Sequence, residues 1–110
     1  MIDHDQLLRA YALLSSLRAN IPEAFEVPEN WAHEFNAAVT KIEHTVSKDL
    51  SEFKVGDREL KQSVASSNYI SGEILYRKGL WCNRANLMLK VDAVLNYLQV
   101  LRDGQGWQAH

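Results

Sequence analysis

The sequence predicts an all-α fold, a single-domain antiparallel bundle of about four helices spanning residues 4–20, 29–55, 58–78 and 84–103. Three observations predict it. Apolar residues recur at steps of three and four along most of the chain, the spacing that aligns them on one face of a helix. Residues suited to helix N-caps precede three of the four stretches, as Asp3, Asp57 and Asn83. The 110 residues are 46% apolar with one cysteine, so one hydrophobic core rather than a disulfide framework must hold the chain.

The first helix begins after Asp3, where Gln6 completes a capping-box spacing and Ile2 and Leu7 stand in staple positions. Leu7, Tyr11, Leu14, Leu17 and Ile21 form its apolar stripe, and Pro22 ends it near Asn20. An acidic connection follows between Pro22 and Pro28, with Phe25 and Val27 expected as lids on the core. Trp31, Phe35, Val39, Ile42, Val46, Leu50 and Phe53 then mark a long amphipathic helix that stops at Gly56. Its strict heptad breaks where Asp49 would enter the seam, which favours bundle packing over a coiled coil.

Residues 58–78 are read as the third helix on the strength of Leu60, Val64, Ile74 and Leu75. Ser63, Ser66, Ser67, Ser71 and Gly72 weaken it, although Ser63, Ser67 and Ser71 would line up as a small-residue strip on a helix. A competing reading ends this helix near Asn68 and makes residues 69–81 a loop or short hairpin around Gly72 and Gly79. The last helix starts after Asn83, with Cys82 and Leu87 as a staple, and stops at Gly104. Residues 104–110 are expected to fray.

That last helix carries two apolar strips. Leu87, Val91, Val94, Leu98 and Leu101 make the core face, and Leu89, Ala93, Tyr97 and Val100 make a second strip more than a right angle away. A helix in a small bundle needs only one such face, so the second predicts a contact surface. The expected function is therefore a non-enzymatic protein-interaction module, a homodimer or an adaptor for another protein. If residues 69–81 instead fold over this strip, the chain covers it alone.

Charge and motifs narrow the alternatives. The net charge is -2, split as -4 over residues 1–56 and +2 over residues 57–110, which does not favour bulk nucleic-acid affinity. One local patch runs against that balance. Arg77, Lys78, Trp81 and Arg84 lie in the basic-aromatic segment 76–84 before a helix start, the composition of an anion or nucleic-acid contact. Trp31, Trp81 and Tyr97 are candidates for lining a small-molecule pocket between helices. His33 and His44, eleven residues apart, would sit about 16 Å apart on a helix, too far to share a metal. Neither a phosphate loop nor a nucleophile elbow is present, and Cys82 has no neighbouring histidine, so neither cofactor nor catalytic residues are expected. The acidic first residues and the absence of a long uncharged apolar run predict no signal peptide, no membrane partner and a cytoplasmic location.

Overall fold

A computed structural model describes residues 3–105, which form three α-helices and two small antiparallel sheets. The arrangement is mixed α/β, and the expected all-α bundle is not formed. Helix α1 (His4–Asn20) leads to strand β1 (Glu26–Pro28) and helix α2 (Glu29–Val46). Strands β2 (Leu60–Lys61), β3 (Val64–Ser67), β4 (Ile74–Tyr76) and β5 (Trp81–Asn83) precede helix α3 (Arg84–Gln105). The Ile2 half of the expected staple and the tail over 106–110 lie outside the described residues.

Helix α1 follows the expected bounds. The Asp3 carboxylate accepts the Gln6 backbone N–H at 3.2 Å, and Ile21 before Pro22 turns extended. Leu7, Leu14 and Leu17 are buried against α2 and α3. The connection after it is not a plain loop. Val27 is completely buried, as expected, but Phe25 is 82% exposed and covers no part of the core. Residue 27 precedes a proline and so favours extended backbone, which lets Glu26–Pro28 pair antiparallel with β5.

The second helix stops at Val46 rather than at residue 55. Ser47 adopts a left-handed conformation, and both Ser47 and Lys48 donate backbone N–H groups to the Glu43 carbonyl. The Glu43 carboxylate then reaches forward to the Leu50 N–H at 2.7 Å and to the Lys54 ammonium at 2.8 Å. Asp49 caps Ser51, where a short 3-10 turn (Ser51–Phe53) begins. Polar side chains satisfy the backbone locally and so release it from the helix. Leu50 and Val55 are still buried, and Phe53, three residues after Leu50 across the 3-10 turn, packs against the same core.

The expected third helix is replaced by a 3-10 turn (Asp57–Glu59) and strands β2, β3 and β4. Val64, Ile74 and Tyr76 are β-branched or aromatic and fit a pleated surface, whereas the serines offer a helix no apolar stripe. Asn68 makes the reversal. Its carboxamide oxygen accepts the Ile70 and Ser71 N–H groups, its carbonyl accepts Gly72 N–H at 2.8 Å, and Gly72 takes φ +74°. The hairpin named above as the competing reading is therefore closer to the structure, although the strands start before residue 69.

Two layers result. The helices bury Leu14, Phe35, Val39, Ile42, Val91, Val94 and Leu98, and the sheet ordered β1-β5-β2 adds Val27 and Cys82 from its inner face. The hairpin β3–β4 stands outside this body, with every residue of both strands exposed. The radius of gyration is 17.3 Å and the extents are 66 × 24 × 17 Å. A compact chain of this length would have a radius of gyration near 13 Å. The hairpin is an arm.

Candidate functional site

Helix α3 is positioned by its start. The Asn83 side-chain oxygen accepts the Asn86 N–H at 2.9 Å, the N-cap expected from the sequence, and β5 anchors the preceding residues in the sheet. The helix does not stop at Gly104 but continues to Gln105. Its first strip is core, with Leu87, Val91, Val94 and Leu98 completely buried.

The second strip is divided by what the chain lays against it. Tyr97 is half-buried beside Phe53, with ring centroids 5.9 Å apart, and the Lys48 ammonium lies 5.9 Å from its ring centroid. Burial pushes the Tyr97 phenol above its ordinary pKa. Lys90 turns away from the strip to donate to the Lys54 carbonyl at 2.9 Å and to pair with Glu59 at 3.4 Å. The segment over residues 50–59 thus covers part of this side of α3. Leu89 remains 69% exposed, Val100 62% exposed, and Ala93 lies open between them. Residues 69–81, which the sequence allowed as a cover, are in the arm and at its root.

The basic segment 76–84 does not gather its cations. The Arg77 guanidinium lies 3.6 Å from the centroid of the Trp81 ring, and Trp81 Nε1 donates to the Lys78 carbonyl at 3.1 Å. Arg84 points elsewhere, its Nε donating to the Pro22 carbonyl at 2.9 Å. The turn at Gly79, with φ +79°, is held by a carboxylate. Glu29 Oε2 accepts the Leu80 N–H at 2.7 Å, and this bond, then His33, keeps the Glu29 pKa below the usual carboxylate range. Trp81 also borders a cleft of about 330 Å³ with Glu26, Arg58, Glu59, Lys61 and Asn83. Acids and bases are mixed there, so no single-sign field forms to concentrate an anion.

No protein-family model, curated protein or solved structure matches this chain.

Chemistry-bearing side chains are tied into structure. Cys82 is completely buried, and burial, with Glu59 nearby, raises its thiol pKa, the reverse of what a nucleophile needs. Burial works against the Glu59 carboxylate too, but the Gly56 N–H, the Asn86 amide and Lys90 outweigh it and lower its pKa. Among the described residues no group of three or more His, Cys, Asp or Glu is placed to hold a metal ion. Among them also, no helix is long and apolar enough to cross a membrane.

Sequence reasoning missed the arm as a surface. Tyr69 is 100% exposed, Ile70 98% and Leu75 54%, and with Ser66 and Glu73 they line a hollow of about 470 Å³ at its tip. The signal was present in the short apolar run Ile74, Leu75 and Tyr76, rich in strand-favouring residues, after an Asn68-to-Gly72 turn. Helical spacing of Leu60, Val64 and Leu75 masked it.

Proposed function

We propose that the protein is a non-enzymatic interaction module that works by self-association, with the second apolar strip of α3 as its contact surface. The observation that carries this is the exposure of Leu89 and Val100 on a helix whose other apolar strip buries Leu87, Val91, Val94 and Leu98 completely. Two long aliphatic side chains on one open strip, with Ala93 between them, give a neighbouring surface room to approach closely. Tyr97 adds an aromatic edge whose ring is already fixed by Phe53, so less side-chain entropy is lost on contact.

Light scattering coupled to size-exclusion chromatography over a dilution series tests the reading. The wild-type mass is expected near twice 12.6 kDa at high concentration, and Leu89→Glu near 12.6 kDa. Because Leu89 is exposed in the single chain, the variant should keep the helical circular dichroism of the wild type. A wild-type mass of 12.6 kDa at every concentration, or a Leu89→Glu dimer, overturns the proposal.

A further inference from the structure

Two of the exposed apolar surfaces among the described residues lie on separate parts of the chain. One is the Leu89–Val100 strip, whose ends lie about 16 Å apart along α3 at 1.5 Å per residue. The other is the arm, whose tip carries Tyr69 and Ile70 and whose strand β4 carries Leu75. We infer that the strip of one copy is covered by the arm of a second copy, and reciprocally, so that two chains exchange arms in a closed dimer.

Charge chooses a protein as the occupant. Residues 63–76 contain one charged side chain, Glu73, and no base, so the arm attracts neither phosphates nor an anionic bilayer. Two-stranded hairpins are marginal in water, and natural exposed edges usually carry lysine or proline to prevent pairing. This arm has neither between residues 63 and 76.

Area chooses a second copy. A standard interface buries about 1,600 Å² in total, of which about 57% is apolar, or roughly 900 Å². The arm residues Tyr69, Ile70 and Leu75 with the strip residues Leu89 and Val100 offer roughly 480 Å², taking about 200 Å² for a tyrosine and about 100 Å² for a larger aliphatic side chain, scaled by exposure. One such contact falls short of a stable interface. The reciprocal pair, at roughly 960 Å², meets the requirement, and twofold symmetry supplies the second contact without further residues.

The inference rests on the strip being a self-association surface, and the test separates the two. Masses are measured for wild type, Ile70→Glu and Leu89→Glu. Arm exchange predicts that each variant alone is monomeric. Both reciprocal contacts are lost in either variant, because each copy then carries the same altered arm or strip. Ile70 is exposed at the arm's tip, so its substitution leaves the body folded, and the thermal midpoint of each monomer checks this. A dimeric Ile70→Glu with a monomeric Leu89→Glu overturns arm exchange and leaves the strip pairing with itself. A dimeric Leu89→Glu, or a monomeric wild type, overturns both readings.

Discussion

Phe35, Leu87 and Leu98 in the helical body have no exposed surface, whereas Tyr69 and Ile70 at the tip of the arm are 100% and 98% exposed. Both regions are rich in large apolar residues, yet only the body has a second layer to bury them against. In the body, α1, α2, α3 and the sheet β1-β5-β2 close around one core. In the arm, two short strands share one ladder and the turn is held by Asn68. Composition alone therefore does not locate stability. Burial on both sides of an element does, and the arm should open locally far more readily than the body unfolds.

Core truncation gives the largest expected contrast. Phe35→Ala should cost about 3–5 kcal/mol, because a completely buried ring leaves a cavity that close-packed neighbours fill only in part. Ile74→Ala in the arm should change monomer stability by less than about 0.5 kcal/mol. Urea unfolding of the two variants, followed by circular dichroism at a concentration where the chain is monomeric, measures both. Comparable losses would show that the arm is part of the cooperative unit and would break the comparison.

A smaller effect sharpens it at the edge of the body. Asn36 on α2 holds the segment that replaces the expected helix extension, donating Nδ2 to the Val55 carbonyl at 2.9 Å and accepting the Val55 N–H on Oδ1 at 2.8 Å. Val55 is buried, so Asn36→Ala strands two backbone groups and should cost about 1–3 kcal/mol. Amide exchange at Val55 should rise more than at Ile42 in the α2 core. Equal protection at Val55 in wild type and variant would mean that packing alone holds the segment.

These contrasts also mark what the sequence made legible. Helices α1 and α3 were readable because cap, stripe and breaker agree there: Asp3, the Leu7–Leu17 stripe and Pro22 in one, Asn83 and the Leu87–Leu98 stripe in the other. The end of α2 was misread because Leu50 and Phe53 continue its period through a 3-10 turn. Asp49 in the seam was the one local sign of the break. The hairpin was misassigned because four apolar residues at helical spacing outweighed the Asn68 and Gly72 turn, and sequence carries no information on whether a long-range partner such as β5 will pair with Glu26–Pro28. For the candidate site, the α3 strip was legible from angle alone. The partial cover by Phe53 was not, since it depends on where the chain goes after α2 ends. The dispersal of Arg77 and Arg84 was hidden for a similar reason, because their partners Trp81 and Pro22 are fixed by tertiary folding.

The smallest effect lies at the junction, where the chain leaves the body for the arm. Glu59 gathers the Gly56 N–H, the Asn86 amide and Lys90, and its pKa is lowered despite the opposing effect of burial. A carboxylate whose folded pKa is depressed contributes stability above its unfolded pKa, and that contribution is lost as pH falls through the folded pKa. Glu59→Gln should therefore be less stable than wild type by about 1 kcal/mol or less at neutral pH, since the group is partly solvated. The gap should close as pH drops below the usual carboxylate range. Glu29, Glu43 and Asp49 also have lowered pKa values, so both proteins lose stability in acid, and only the difference between their urea midpoints reports on Glu59. A difference that stays constant with pH would assign the loss to shape and hydrogen bonding rather than to charge. One that widens in acid would reverse the sign of the linkage and place Glu59 among the groups that the fold holds against their ionisation.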